Sequence, residues 1–539
     1  MTRPSGPRVI IDNPVLPSMS ERCADSLFYN GTIYTMGDTK KVVTAIAVSD
    51  GRIVAVGDDA EVRRSRPRGC ERFDLRGRTV LPGFIDCHTH FIQMGVDSMG
   101  VDLSHTRTLD DALALIKEAG CKYPEGEWVI ATNWKESGWP GGRFITKQDL
   151  DSCCPNNPTV AHRVCGHLST VNSMAIDVLC IDSETPDVDL GKGILRESAL
   201  QLPRKQTEPD DAKKSRALML ATRMAHELGV TSINDNGQST DLKIYMAAEK
   251  RGRLGVRVWF NTPSCDLDSR IRLGISTGFG SGRLKFGGLK IFCDGALGAR
   301  TAALSEAYAD DPGNRGALVI DRSELERIVT QANEAGIQVA IHAIGDAGIG
   351  EVISVFSRTM RRTSFKGLRN RIEHLELPSQ THLREMRRMG LIASMQPNFI
   401  GEWGGTDGMY LSRLGPKRTA ANNPFRDVLK AKVKLVFGSD CMPLSPIYGI
   451  HSAVNAPHAS QKISVPGAIA AYTRDAAFAS FEESSKGSLT EGKMADLVVL
   501  SDDPFENAER IRSIRVLKTV VGGEALYDRT GKRRRVNVK

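Results

Sequence analysis

The stretch "LPGFIDCHTH" (81–90) closes an apolar run with two histidines one residue apart. If the run is a β-strand, alternate side chains share a face, so His88 and His90 project side by side from its end and can grip one metal ion. A polar turn after a buried strand would read the same way, so the pair needs support from elsewhere. Four further segments supply it. "LKFGGLKIFCDG" (284–295) carries Lys290, "QVAIHAIGD" (338–346) carries His342, "RNRIEHLEL" (369–377) carries His374, and "KLVFGSD" (434–440) ends at Asp440. Taken singly, the two histidines read as satisfied core residues and Asp440 as a helix cap. Lys290 resists such a reading, because an ammonium in an apolar strand is costly unless paired. As a neutral amine it can take up carbon dioxide, giving a carbamate whose two oxygens can bridge two metal ions.

These side chains need a scaffold that brings strand ends together. The middle of the chain alternates apolar β-type runs with helical patterns, the signature of βα units and a parallel sheet. Candidate strands end near 90, 236, 262, 294, 344, 376, 398 and 440. "RSELERIVTQANEAG" (322–336) is a helix between two of them, with apolar spacing and a terminal glycine. Eight strands predict an α/β fold, a (β/α)8 TIM-like barrel, whose functional residues come from the C-terminal strand ends. Spacing agrees. His374 lies 32 residues after His342, one ordinary unit, and Asp440 lies 66 after His374, two units with "LIASMQPN" as strand 7 between them. The catalytic barrel is expected over 83–480, with an insertion after strand 1 at about 95–215 that contains "ATNWKESGWPGGR" and "HRVCGHLSTVNSMAID". Both ends are β-rich, with short alternating runs and "NG" and "DG" turns. Residues 26–82 and 481–539 are therefore expected to build one small β-sandwich domain from both termini, the second part ending in a basic tail, with 1–25 a disordered lead-in.

Composition bounds the function classes. The chain has 539 residues, 40% hydrophobic and 25% charged, with a net charge of +8 spread through the sequence. That is ordinary for a soluble globular protein. The dense basic run "KRRR" (532–535) reads as a solvated tail, and no nucleic-acid-binding motif accompanies it. No stretch has the length to span a bilayer, and the first twenty residues lack the apolar core of a secretory signal. Eleven cysteines without a CxxC pair point to reduced thiols and a cytoplasmic location. The adjacent Cys153 and Cys154 lack zinc-site spacing and read as inert.

The ordered blocks resemble the amidohydrolase superfamily, and within it the branch similar to N-substituted formamide deformylases. The likeness runs over about 25–525 and includes "LKIFCDGALGARTAAL", "IHAIGD", "IEHLEL", "FGSDCMP" and "SLTEGKMADLVVLSDDPF". It implies a divalent metal centre, usually zinc, with up to two ions, although histidine and carboxylate ligands also suit iron, manganese or nickel. By resemblance His88, His90 and Asp440 hold the first ion and His342 and His374 the second. Carboxylated Lys290 and a water-derived hydroxide bridge them, and Asp440 acts as general base and then acid. The implied reaction is hydrolysis of a non-peptide C–N bond in a small amide-type substrate, and relatives are often homodimers. His167 is expected to line the pocket, with Asn172 nearby in the inserted lid, and Trp139 and Arg300 (followed by Thr301) are further candidate contacts. Cys87 and Cys441 read as packing. A cyclic-amide hydrolase or deaminase on the same barrel, with Lys290 unmodified and one metal, remains an alternative, as does a non-catalytic scaffold or regulator.

Overall fold

The structure is a computed structural model and describes residues 25–529 apart from 66, 137–138, 165–167 and 363–366. The expectations for the lead-in, the "KRRR" run and His167 fall outside the described residues.

Eight strands, β1 (Phe84–Thr89), β2 (Val230–Asp235), β3 (Arg257–Pro263), β4 (Leu284–Phe292), β5 (Val339–Ala343), β6 (Arg371–His374), β7 (Ile392–Met395) and β8 (Lys434–Phe437), form one sheet in sequence order. Every neighbouring pair is parallel. The sheet curls into a nearly closed TIM-like barrel. Its seam is held beyond the end of β8, where the Asp440 amide donates to the His88 carbonyl at 2.8 Å and the Ser439 amide to Asp86 Oδ1 at 2.9 Å. Gly438 makes this approach possible, since a Cβ there would meet the His88 backbone nitrogen at 2.4 Å.

The strands are buried on both faces, which is why they read as unbroken apolar runs. Leu289, Ile341, Ile372, Ala393 and Leu435 pack outward against the surrounding helices in one large core. Those helices carry clear stop and start signals. Gln380–Met389 begins with Ser379 capping His382 and ends at Gly390 in the left-handed conformation (φ 69°). The helix expected at 322–336 spans Arg322–Glu334, with Leu325, Ile328, Val329 and Ala332 buried.

The chain between β1 and β2 folds as a unit of its own. Six strands pair in the order Val188–Asp189, Ile194–Arg196, Leu168–Val171, Thr159–Arg163, Val129–Trp134, Val101–Asp102. Helices such as Leu109–Lys122 and Lys147–Cys153, each opened by a threonine capping box, cover this sheet. The two chain ends also meet. A four-stranded sheet comes from residues 26–74, and a six-stranded sheet mixes Thr32–Tyr34 and Thr79–Pro82 with Leu497–Leu500, Val516–Val521 and Glu524–Asp528. Phe28, Ile46 and Val48 of the first share a core with Ile33, Val80, Leu497 and Val520 of the second. This unit is bolted to the barrel by a buried ion pair, Arg257 Nε to Asp496 Oδ2 at 2.7 Å. Among the described residues, no helix is long and apolar enough to cross a membrane.

Candidate metal centre

β1 delivers Asp86 and His88 to the mouth of the barrel, and His90 follows its last residue. The His88 ring is fully buried, with Nδ1 2.5 Å from Glu373 Oε2. His90 sits at the start of the helix Phe91–Asp97 and is partly exposed; its Nδ1 lies 3.0 Å from the Asn236 carbonyl beyond β2. The two rings are not parallel neighbours, as strict alternation would make them. Their centroids are 5.8 Å apart at 65°, and the β1–β2 register shifts beside them. Their Nε2 atoms nevertheless converge on Asp440 Oδ1, at 3.6 Å from His88 and 3.3 Å from His90.

The other strands bring the remaining candidates to the same place. His374 ends β6 with its ring 4.8 Å from His88 and 4.4 Å from His342 of β5. Lys290 Nζ, two residues from the end of β4, is 3.3 Å from His88 Nε2. Ligand-type atoms of His88, His374 and Asp440 all lie within 4.8 Å of one another. The backbone bends to achieve this. His374 (φ 70°) and Asp440 (φ 54°) both occupy the left-handed region, which costs a non-glycine residue of order 1 kcal/mol or more and is found where the surroundings enforce it.

A metal asks for neutral imidazoles and an ionised carboxylate. Burial, reinforced by the Lys290 charge, lowers the pKa of His88 and takes that of His342 down to about 3. Burial and the neighbouring His342 hold His374 well below its usual range. Burial also opposes charge on His90, but the hydrogen bond and charge of Asp440 override it and raise its pKa. Burial opposes the charge of Asp440 as well, and the facing His88 and His90 outweigh it, so its carboxyl lies far below the ordinary range. Burial brings the Lys290 amine down to about 8. Among the described residues no carboxylate lies within 4 Å of that amine.

The ring nitrogens themselves test the fit of a metal. Each of the four histidines has one nitrogen against a protein oxygen: His88 Nδ1 on Glu373, His90 Nδ1 on the Asn236 carbonyl, His374 Nδ1 on Gln396 Oε1 at 2.8 Å, and His342 Nε2 on the Gly295 carbonyl at 3.0 Å. A carbonyl or carboxylate oxygen requires N–H at that nitrogen, so the opposite one is left for the site, where His88 Nε2 meets Lys290 Nζ at 3.3 Å and His90 Nε2 meets Asp440 Oδ1 at 3.3 Å. Metal-ligating histidines are oriented in this way, with the far N–H donated to an oxygen. His88, His90 and His374 offer Nε2 and His342 offers Nδ1. The compact group of His88, His374 and Asp440 fits a divalent ion.

Sequence reasoning passed over the residues beneath this set. Arg371, fully buried, donates to Glu373 Oε1 (2.7 Å), Asn234 Oδ1 (2.6 Å), the Cys87 carbonyl (2.6 Å) and Ser394 Oγ (3.0 Å). Its charge and the His88 contact hold the Glu373 carboxyl well below its usual range despite burial. An Arg and a Glu inside the apolar strand "RIEH" were the available signal, of the same kind that singled out Lys290. Asp294 was missed too; it accepts the amides of Ala303, Ile344 and Gly345 at 2.9–3.0 Å and so ties the loops after β4 and β5.

The candidate substrate contacts are placed less centrally. Trp139 is 5% exposed in the core of the insertion, stacked on Trp134 with its indole N–H on the Thr106 carbonyl at 3.3 Å. Arg300, in the loop after β4, forks onto Asp310 at 3.1 and 2.9 Å. Thr301 accepts the Ala296 amide. Asn172 caps the helix Ser173–Val178, and its amide also donates to the Cys154 and Asn157 carbonyls. Cys87 packs with Ile85, Ile392, Val436 and Ala476, and the Cys441 sulfur receives the His90 amide at 3.4 Å. A cavity of about 530 Å³ opens beside His90, between the ends of β1 and β2 and the insertion helix Gln201–Gln206.

Comparison with known proteins agrees with this architecture. The amidohydrolase family model matches residues 71–527. The N-substituted formamide deformylase of Arthrobacter pascens is 30% identical over 94% of this chain and 99% of its own. The Arabidopsis thaliana protein LONG AFTER FAR-RED 3 is also 30% identical, over 94% of this chain and 92% of its own. The crystal structure of an uncharacterized metal-dependent hydrolase from Pyrococcus furiosus superposes with a TM-score of 0.77 at 29% identity, covering 89% of this chain and all of the other. A barrel of this topology, an acid and four imidazoles at its mouth, and a match across most of the sequence lead to one assignment: the chain belongs to the amidohydrolase family of metal-dependent hydrolases.

Proposed function

We propose that this protein hydrolyses a non-peptide C–N bond of a small amide-type molecule. His88, His90 and Asp440 would hold one divalent ion, zinc by family resemblance, and His342 and His374 a second. The observation that carries this reading is the set of four imidazoles gathered at the mouth of the barrel around Asp440 and Lys290, each with one ring nitrogen held on a protein oxygen. When bound, a divalent ion polarises a carbonyl oxygen and lowers the pKa of water.

The chain's own residues supply the rest. Lys290, with a pKa near 8, has a neutral fraction that reacts with carbon dioxide, forming an N–C bond and releasing a proton. The resulting carbamate would put an anion where, among the described residues, no carboxylate lies within 4 Å of the Lys290 amine. Asp440, ionised, accepts a proton from water at Oδ and returns it to the departing nitrogen, so the products are an acid and an amine. Glu373 and Arg371 fix the His88 ring. A one-metal reaction of the deaminase type draws on the compact His88–His374–Asp440 group with Lys290 unmodified.

Metal analysis of the purified protein combined with a substrate panel tests the proposal. Two ions per chain and turnover of N-formyl or N-acyl amines are expected. One ion with turnover only of aminopurines or cyclic imides would move the protein to the alternative class, and no turnover by the metal-loaded protein would favour a scaffold.

A further inference from the structure

At the opposite end of the strands, by the starts of β6, β7 and β8, the surface opens into a cleft of about 790 Å³. Its walls carry five cations, Arg369, Arg387, Arg388, Lys432 and Lys434, against a single carboxylate, Asp475. Leu391, Val433, Leu435 and the 41% exposed Leu429 add an apolar lining. Three of the cations are matched. Arg369 meets Glu483 at 2.6 Å, Arg388 meets Glu385 at 2.7 Å and Lys434 meets Asp475 at 2.9 Å. Arg387 and Lys432 enter no ion pair among the described residues.

An arginine in the last turn of a helix suits its dipole, so Arg387 alone would need no ligand. The backbone around the cleft does not reduce to that. Arg371 of β6 pairs with Ile392 of β7, and Ile392 with Lys434 of β8. Two residues before each stand Arg369, Gly390 and Lys432, all in the left-handed conformation, at φ 52°, 69° and 58°. Glycine adopts it without strain, as Gly390 does at the end of its helix. Lys432 adopts it one residue beyond the cap of the helix Phe425–Lys430, where glycine would be unstrained. The row thus sets a glycine between two cations, and a Cβ on that glycine would meet nothing within 4 Å. The hollow has the size of a small-molecule site, about 300–1,000 Å³. We propose that this cleft binds a phosphate monoester that carries a compact apolar body. The ester's roughly −1.5 to −2 charge at pH 7 matches the two cations outside ion pairs. Arg387 offers a forked donor edge to the phosphate, and the aliphatic lining receives the body. The site lies at the far end of the barrel from the histidines and does not depend on which bond is hydrolysed there.

The test is calorimetric titration of the full-length protein with phenyl phosphate, inorganic phosphate and benzoate. Phenyl phosphate binds at least about fivefold more tightly than inorganic phosphate, through its apolar ring, and about tenfold more tightly than singly charged benzoate. Lys432→Gly, which suits the left-handed turn, and Arg387→Gln each weaken phenyl phosphate about tenfold, the worth of one charge-assisted contact. Neither lowers the melting temperature or the metal content, so the loss is one of binding and not of folding. If either variant binds phenyl phosphate as wild type does, as binding at the barrel's mouth would give, the assignment of the cleft is overturned. Equal affinity for phenyl phosphate and inorganic phosphate overturns the apolar body, and equal affinity for benzoate overturns the phosphate. No detectable binding up to millimolar probe overturns the proposal as a whole.

Discussion

The two levels of this barrel treat buried charge in opposite ways. In the interior below the mouth, several buried charges are held in ion pairs. Arg371 grips Glu373, Lys486 pairs with Glu482 at 2.6 Å, Lys285 joins the same carboxylate at 3.0 Å, and Arg257 meets Asp496 at the junction with the β-rich unit. A few ångströms higher, Lys290 has no carboxylate in contact and four imidazoles crowd round one acid. Unpaired buried charge is costly, and the fold demonstrates that it can provide partners. The difference teaches that the upper set is built for something other than ion pairing within the protein, in keeping with the metal-dependent hydrolases this family contains.

Four experiments press on that contrast. Asp440→Asn should have the largest effect, lowering kcat/KM by about 10³-fold or more while the circular dichroism spectrum keeps its native form, since a positioned acid–base group is worth 10²–10⁴ and this one is also proposed as a metal ligand. Equal activity in the variant would place the chemistry elsewhere. At the lower level the expected loss is of stability instead. Arg257→Ala leaves the Asp496 carboxylate buried without its charge partner, at a cost of about 3–5 kcal/mol read from urea unfolding. Replacing both residues by leucine should recover most of that loss, and a single substitution as mild as an exposed one would show the pair to be dispensable.

Between the levels lies Glu373, and Glu373→Gln should weaken metal binding about 10–100-fold, measured by competition with a chelator, and also lower the melting temperature, because it leaves the buried Arg371 guanidinium without its charge partner. The smallest effect is in pH. An ordinary lysine amine is almost wholly protonated at pH 7, whereas one with a pKa near 8 is neutral in roughly one-tenth of molecules at pH 7 and half at pH 8. Bicarbonate-dependent reloading of metal-stripped protein should therefore rise severalfold from pH 7 to 8 and level off above it. Reloading that ignores bicarbonate would remove the carbamate, and Lys290→Ala should reload only with added short carboxylic acids.

Much of the barrel was legible because parallel strands covered on both faces give apolar runs that sequence alone displays. The strand ends expected near 236, 262 and 344 fall at Asp235, Pro263 and Ala343. The six candidate side chains were legible because each interrupts such a run with a group that packing does not want. Arg371 and Glu373 interrupt a run in the same way, but their partners lie as far as 285 residues away, and no local pattern records such a pairing. Trp139 was misleading for a related reason. A tryptophan among glycines looks like a loop residue, and only the tertiary packing of the insertion, itself a six-stranded sheet with no clear periodicity, buries it. The turns at His374 and Asp440 were invisible, since neither residue type announces a left-handed backbone.

The seam of the barrel carries a last consequence. Asp86 and Ser439, which tie its first and last strands together, are separated by 353 positions, and His88 and Asp440 flank that tie. During synthesis, then, the chemistry cannot exist until nearly the whole polypeptide has left the ribosome and the ring has shut. Under the proposed function an ion would be taken up only at the end of folding, and fragments that stop short of the final strand should be inert however well their earlier parts assemble.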